Sequence, residues 1–179
     1  KIEILFLFII ILMGCCTSYA NNRRKNAGNL LDVAIYNDDS RRLYDIIKYT
    51  DGITYDYIFK PQMVSKGSKM SLINYASRCD SIDCVKMLLY NGANPNIYDS
   101  NGWLPIHYAA VYHELYDNSV LSTLLSDSRV NSNVRTIKGK TIMYNNVKLN
   151  TKNKTAYQLA HHFLCFGSCC ESPHIFFVD

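Results

Sequence analysis

Histidine and cysteine side chains are concentrated near the end of the chain, where they could bind a metal ion or form a disulfide. The cluster consists of His161, His162, Cys165, Cys169 and Cys170. Imidazole and thiolate groups are good zinc ligands, but this spacing matches no common zinc pattern. The two histidines are adjacent on a predicted helix, so their side chains point about 100° apart. We therefore expect no metal site, and a metal-handling or redox-handling envelope protein remains the alternative.

Other residues with chemical potential do not form a catalytic set. Gly139-Lys140-Thr141 resembles the end of a phosphate-binding loop, but such a loop needs a glycine five positions before Gly139, where Val134 stands. We find no nucleophile–base pair, no paired-carboxylate motif and no cofactor-binding loop in the sequence. We therefore predict that the protein is not an enzyme and that it takes no cofactor and no small-molecule substrate.

Basic residues are unevenly distributed. Hydrophobic residues make up 48% of the 179 residues, enough for a folded core, and the net charge of +4 is too small to identify a nucleic-acid-binding protein. Residues 129–154, here called the basic segment, contain no Asp or Glu. Their cations are Arg129, Arg135, Lys138, Lys140, Lys148, Lys152 and Lys154. We favour a solvent-exposed basic hairpin that binds no nucleic acid, and a membrane-surface structural protein that uses this segment is a further alternative.

The first twenty residues have the pattern of an export signal. Residues 4–13 (ILFLFIIILM) are apolar, about half the length that a membrane-spanning helix needs. Leu12-Met13-Gly14-Cys15 resembles the lipobox of bacterial lipoproteins, which implies a signal peptide over 1–14 and lipid attachment at Cys15. Ser18-x-Ala20 instead fits ordinary cleavage after residue 20. We expect an exported, lipid-anchored protein of the bacterial cell envelope, with a polar tether over 15–27; a secreted or periplasmic soluble protein is the alternative.

Residues 99–110 (DSNGWLPIHYAA) carry the signals of a hairpin followed by a helix. Asp99 and Gly102 suit the tip of a tight hairpin. Pro105 suits the first helical turn, where its missing N–H costs no hydrogen bond. Ala109 and Ala110 are small, which lets two antiparallel helices approach closely. The segment therefore predicts a hairpin and the first helix of a helical pair.

The preceding segment, residues 84–96 (CVKMLLYNGANPN), carries the signals of a second helix. Val85, Leu88 and Leu89 recur at helical spacing and predict one apolar face. Gly92 follows where the helix must stop, at the position that a C′ glycine takes. Cys84 precedes this face and is expected to be buried, although pairing with Cys79 across the turn is also open.

These two segments closely resemble the two halves of the ankyrin-repeat signature, D-x-x-G-x-T-P-L-H-x-A-A and V-V-x-x-L-L-x-x-G-A-D-x-N. The departures are Leu104 in place of Thr, together with Asn94 and Pro95. The resemblance implies that His107 is a structural histidine, hydrogen-bonded to neighbouring turns, rather than a catalyst. It also implies a fold of stacked helix pairs that binds other proteins.

Further copies follow once each copy is aligned on its first alanine. These register alanines are Ala34, Ala76, Ala109 and Ala160, separated by 42, 33 and 51 residues, and 33 is the ankyrin period. We predict an all-α ankyrin-repeat solenoid over 28–164 with about four repeats and a tail over 165–179. The repeats are placed at about 28–60, 67–98, 99–132 and 150–164, with insertions near 57–70, 112–118 and 128–149.

The resemblance implies that a protein partner binds to the hairpin tips and to the exposed, concave side of the first helices. The predicted partner-binding residues are Lys69, Tyr75, Arg78, Ser100, Asn101, Trp103, Tyr108, Tyr112, Lys152 and Lys154. Trp103 is the expected centre because Trp, Tyr and Arg dominate interface energetics. Its replacement by Ala should then preserve the fold and weaken partner capture. Packing of Trp103 against an adjacent loop is the open alternative.

Overall fold

Short helices, most of them arranged in pairs, account for about half of the residues that the computed structural model describes. The description covers residues 27–62, 64, 68–112, 119–138, 141–144, 147–166 and 176–178. For residues 112, 141–144, 147–149, 162–166 and 176–178 it covers the backbone alone. The predicted signal, the lipobox and nearly all of the predicted tether lie outside these residues. So do Lys140, Cys169 and Cys170.

Seven helices are present in the described residues. They are α1 (27–36), α2 (Ser40–Tyr49), α3 (Leu72–Cys79), α4 (Ile82–Tyr90), α5 (Pro105–Tyr112), α6 (Val120–Ser126) and α7 (Ala156–Phe166). The helix α5 begins at Pro105, as the sequence predicts. None of the helices in the described part of the chain combines the length and apolarity needed to cross a bilayer.

Consecutive helix pairs pack against each other side by side. Within pairs, α3 contacts α4 and α5 contacts α6. Between pairs, α3 contacts α5 and α5 contacts α7, while α2 contacts α4 and α4 contacts α6. Buried leucines fill the layers between these helices, among them Leu43, Leu72, Leu88 and Leu124. The predicted helical repeat fold is therefore supported, with first helices in one row and second helices in the other.

The turn between paired helices is the same in the first two copies. Asp38 and Asp80 both adopt left-handed backbone, at φ 51° and 59°, four residues after Ala34 and Ala76. The next N–H in each copy donates to the oxygen of the register alanine, at 2.9 Å for Ala34 and 3.0 Å for Ala76. The predicted 42-residue offset between these alanines therefore aligns equivalent backbone.

The helix α4 ends as the sequence predicts. Gly92 has φ 85°. Its N–H donates to the Leu89 carbonyl at 3.1 Å, and the Ala93 N–H donates to the Leu88 carbonyl at 2.9 Å. This pair of bonds is a Schellman motif, which satisfies carbonyls that the helix leaves without partners.

The prediction of an all-α fold omitted two small sheets. The strands β1 (Ile58–Phe59) and β2 (Met70–Ser71) pair antiparallel. A three-stranded antiparallel sheet has the order β4-β3-β5 and is formed by β3 (Thr141–Tyr144), β4 (Val147–Asn150) and β5 (Phe176–Val178). The predicted insertion at 128–149 thus contains most of a hairpin, and the predicted tail contributes the third strand.

Candidate binding surface

Three segments that precede first helices, together with residues 134–138 of the basic segment, lie side by side and form a continuous row. We call residues 68–71, 99–103, 134–138 and 151–155 the hairpin row. The Ser100 N–H donates to the Lys69 carbonyl at 2.9 Å, and the Ile137 N–H donates to the Gly102 carbonyl at 3.0 Å. The Thr136 N–H donates to the Lys154 carbonyl at 2.9 Å. The row therefore extends across the second, third and fourth predicted copies.

A buried carboxylate holds the hairpin tip of the third copy. One oxygen of Asp99 accepts the backbone N–H groups of Asn101 at 2.9 Å and Trp103 at 2.8 Å. The other accepts the Asn101 amide at 2.8 Å and the Tyr108 hydroxyl at 2.6 Å. Burial raises the pKa of Asp99, and these four hydrogen bonds act in the opposite direction. The tip is therefore a rigid, fully bonded turn.

Glycine is required at the tip for two reasons. Gly102 has φ 76°, a conformation that side-chain-bearing residues rarely adopt. A Cβ at this position would lie 2.5 Å from the Lys138 backbone nitrogen. The basic segment therefore packs directly on the tip of the third copy.

One polar side chain in each of three copies hydrogen-bonds from a first helix to the backbone of the segment that leads towards the next copy. These side chains stand two residues before the register alanines. Asp32 accepts the Gln62 N–H at 2.9 Å, and the Asn74 amide donates to the Ile97 carbonyl at 3.0 Å. His107 Nε2 lies 2.9 Å from the Val134 carbonyl. Sequence reasoning identified only His107, although the register alone could have indicated the other two.

His107 is held as a neutral imidazole. Its Nδ1 accepts the Leu104 N–H at 2.9 Å, so Nε2 carries the proton that is donated to Val134. Burial lowers the pKa of His107, and the bond to Val134 partly opposes this shift. Both ring nitrogens are thus used in structural hydrogen bonds, in agreement with the role that the resemblance implied.

Four of the predicted partner-binding residues are buried, so the expectation that they lie on the surface is wrong. Tyr75, Trp103 and Tyr108 are 0% exposed and Asn101 is 2% exposed. The Trp103 ring packs on the Tyr108 ring at 5.0 Å between centroids. Residues 137–138 of the basic segment cover the hairpin tip, and the Tyr75 ring packs edge-on against Phe59 at 5.6 Å, so these aromatic side chains lie in the interior.

The other predicted residues are placed differently. Lys69, Ser100 and Lys152 are exposed, and Arg78 and Lys154 are half-buried. Lys69 and Ser100 are bonded to each other, since the Lys69 N–H donates to the Ser100 hydroxyl at 2.9 Å. Tyr112 ends α5, and its side chain lies outside the described residues. The structure therefore brings an exposed subset together on the hairpin row.

Two arginines of the basic segment are bound within the fold. The guanidinium of Arg129 pairs with Asp127 at 2.6 Å and donates to the Ala93 carbonyl at 3.1 Å and the Leu89 carbonyl at 3.0 Å. Arg135 donates to the Asn153 carbonyl at 3.0 Å. The cations of the basic segment whose side chains the structure describes are exposed, apart from half-buried Lys154, and these hydrogen bonds tie the segment to the end of α4 and to residue 153.

The cysteines that the structure describes offer no reactive pair. Cys79 and Cys84 are both free thiols, so the disulfide left open between them is not formed. Burial raises the pKa of Cys79 to about 11 and raises that of Cys84 as well, which leaves little reactive thiolate at neutral pH. In the described portion, no group of His, Cys, Asp or Glu is arranged to hold a metal. His161 is exposed beside Tyr157, while the rest of the terminal cluster has no described side chains.

An open cavity of about 450 Å³ lies where α5, α6 and α7 meet. Its walls are mainly apolar and include Ile106, Leu121, Leu125 and Ala160. In the described chain α6 is the last of the second helices, and Leu125 is 53% exposed. The cavity lies mainly on the helical side of the last copies, and Thr155, at the end of the hairpin row, also lines it.

Residues 63–109 match the family model for ankyrin repeats (many copies). No curated protein gives a significant match to the chain. The matched segment includes α3, α4 and the first half of α5, together with the hairpin tip at Asp99–Gly102. This match supports an ankyrin-repeat protein and, with it, a protein-interaction module.

Proposed function

We propose that this protein is a non-catalytic binding module that holds another protein on the exposed part of its hairpin row and on the adjoining side of its first helices. The observation that carries the proposal is the row itself, which presents Lys69, Ser100 and Lys152 on backbone fixed by hydrogen bonds. A preorganised surface of this kind loses little entropy when a partner binds.

We further infer a short ankyrin-repeat solenoid of about four repeats. The alternate packing of α2, α4 and α6, and of α3, α5 and α7, supports this arrangement. In the fourth predicted copy only the first helix, α7, is described. Each copy buries its apolar face against its neighbours, so an array of this length is near the minimum for stability.

A binding role without catalysis is supported by how the reactive groups are used. His107 is bonded at both ring nitrogens, and Asp99 accepts four hydrogen bonds. The thiols of Cys79 and Cys84 are kept protonated by burial. His107 and Asp99 thereby hold the hairpin row in place, and none of these four groups lines the cavity where α5, α6 and α7 meet.

Site-resolved cross-linking tests the binding proposal. A photoreactive residue replaces Ser100 in the hairpin row and, as the matched control, exposed Lys86 on α4. After illumination in the native cells, we expect a discrete cross-linked protein from position 100 and none from position 86. Equal cross-linking from both positions, or none from position 100, would contradict the proposal.

Export and lipid anchoring at Cys15 are a separate proposal that rests on residues 4–20 alone. We expect labelled palmitate to enter the wild-type protein but not a Cys15→Ser variant, and the mature chain to begin at Cys15. A mature chain that begins at Asn21 would favour ordinary cleavage after Ala20 and rule out a lipid anchor at Cys15. A mature chain that still contains residues 4–13 would rule out export by either cleavage.

A further inference from the structure

We propose that the partner segment bound by the hairpin row is acidic, because the row carries a line of exposed cations. We call Lys69, Arg135, Lys138, Lys152 and Lys154 the cationic ridge. All but Lys154 are exposed, and Lys154 is half-buried. This inference rests on the proposed function and adds the chemistry of the partner to it.

The first part of the ridge is built around Ser100. The Ser100 N–H donates to the Lys69 carbonyl at 2.9 Å, and the Lys138 ammonium donates to the Ser100 carbonyl at 3.2 Å. The backbone of Lys138 also packs on Gly102. Two lysines from segments that are 69 residues apart in sequence therefore flank one hydroxyl residue.

The second part of the ridge is formed by two neighbouring segments. The backbone of Arg135 pairs with that of Thr155 in an antiparallel bridge. The Lys154 N–H donates to the Thr136 hydroxyl at 3.0 Å. The guanidinium of Arg135 lies beside Gln158 Oε1, at 3.3 Å. Arg135 and Lys154 are thereby held on adjoining backbone.

The positive charge of the ridge is not balanced within the row. Asp99 is the single acidic residue of the hairpin row, and it is 7% exposed with four hydrogen bonds of its own. Among the residues that the structure describes, no ridge cation forms an ion pair, and the pair Arg129–Asp127 lies outside the ridge. An acidic segment laid along the row would supply the missing carboxylates.

The surroundings of the ridge favour an acidic protein over a nucleic acid or a lipid surface. Single-stranded nucleic acids need exposed aromatic rings for stacking, and membrane interfaces favour exposed Trp and Tyr. The rings of Tyr75, Trp103 and Tyr108 are buried beneath the row, whereas Tyr157 at the start of α7 is exposed, and one such ring stacks only a single base. Ile137, next to Lys138, is 57% exposed. It offers an apolar contact for one side chain of a bound peptide.

Titration with defined probes tests the inference. The probe is a fluorescein-labelled peptide in which Glu alternates with Ser, and the comparison peptide has Gln in place of Glu. The ridge variant carries Lys69→Gln, Lys138→Gln, Lys152→Gln and Lys154→Gln. The control variant changes the net charge equally, with Arg41→Gln, Arg42→Gln, Lys48→Gln and Lys86→Gln, all on α2 and α4.

We expect the wild type to bind the Glu peptide more tightly at low salt than at high salt, and the Gln peptide at least tenfold more weakly. The ridge variant should lose roughly tenfold in affinity for the Glu peptide, whereas the control variant should keep it. If circular dichroism shows that the ridge variant does not fold, the double variant Lys69→Glu, Lys152→Glu replaces it. This variant should show the same loss of affinity for the Glu peptide.

Three outcomes would overturn the inference. They are equal affinity for the Glu and Gln peptides, equal loss in the ridge and control variants, and tighter binding of oligo-dT or of phosphatidylserine vesicles than of the Glu peptide. Cross-linking from position 100 distinguishes a failure of the acidic-partner inference from a failure of the proposed protein-binding function. If the ridge variant still cross-links its partner there, the row binds a protein but not by charge; if even the wild type does not, the proposed function fails as well.

Discussion

At the scale of single residues, chemically different side chains do the same work in successive copies. Asp32, Asn74 and His107 stand at the same register position, and each hydrogen-bonds backbone beyond its own helix. The bond is made once by a carboxylate, once by an amide and once by an imidazole. What the position requires is a polar side chain of suitable length, so His107 stabilises the fold through the hydrogen bonds of both its ring nitrogens.

Trp103 is predicted to stabilise the fold, because its side chain is wholly buried against Tyr108 and His107. Trp103→Ala should lower the free energy of unfolding by about 3–5 kcal/mol. Urea denaturation measures this loss, and Tyr36→Ala, at a position 59% exposed, is the control with little expected change. A Trp103→Ala variant as stable as the wild type would restore the original expectation of a surface contact.

His107 should make stability depend on pH. Burial lowers its pKa in the folded chain, so the unfolded chain binds a proton at higher pH. Its contribution is therefore present above the ordinary histidine pKa of about 6.5 and is lost as pH falls through and below that value. We expect the urea concentration at half-unfolding of the wild type to decrease as the pH is lowered from about 8 to about 5.5.

His107→Asn, which places here the residue found at position 74, is the matched test of this pH dependence. It removes the titrating group, and its free energy of unfolding should change less with pH than that of the wild type. An unchanged slope in His107→Asn would show that another group titrates.

At the scale of elements, α4 is capped by its neighbour rather than by its own N-cap residue. The Asp38 carboxylate, from the turn between α1 and α2, accepts the Asp83 N–H at 3.2 Å and the Cys84 N–H at 2.9 Å. Ser81, which precedes α4, donates its hydroxyl to the Ile35 carbonyl instead. The first two copies are thus joined by exchanged polar contacts as well as by apolar packing.

Asp38→Ala should destabilise the protein by about 1–2 kcal/mol, because it removes the cap of α4 and places Ala at φ 51°. Asp38→Asn is the control, since its single amide oxygen can keep the hydrogen bond from the Cys84 N–H and Asn tolerates left-handed backbone, so it should lose less stability than Asp38→Ala. Equal losses of unfolding free energy in the two variants would show that the negative charge, and not the cap, is what matters.

The β3–β4–β5 sheet shows which elements local signals can predict. A local hairpin signal could have predicted β3 and β4. It consists of Asn145-Asn146, which stands between two short segments that contain Ile142 and Val147. The strand β5 carries no such signal. Its pairing with β3 joins residues 141 and 178, and only the tertiary structure decides a contact at that separation.

At the scale of the whole molecule, stability depends on contacts between neighbouring copies. Each helix pair packs on the next, and Arg129 in the segment after α6 donates to carbonyls at the end of α4. In a stack with nearest-neighbour contacts, a defect in the central copy weakens two interfaces at once. The loss should therefore be seen by probes of every copy.

Leu88→Ala tests this cooperativity. Leu88 lies on α4 and is 0% exposed, so the substitution should cost about 2–5 kcal/mol of unfolding free energy. Circular dichroism and tryptophan fluorescence should give coincident, shifted transitions, because Trp103 reports on the next copy. Tyr90→Ala, at a position 91% exposed on the same helix, should leave both transitions in place. Separate transitions by the two probes would mean that the copies unfold independently.

The sequence by itself determined the local features: the helix that starts at Pro105, the glycine stop at Gly92 and the register of the alanines. Such features depend on backbone hydrogen bonds and apolar spacing within a few residues, so they can be read without the fold. Only the tertiary structure decided that Trp103 is buried, that Arg129 closes α4 and that the exposed lysines share one ridge. The physical reason is that burial and charge alignment depend on which distant segment covers a site, and here residues 134–138 of the basic segment cover the tip at Gly102.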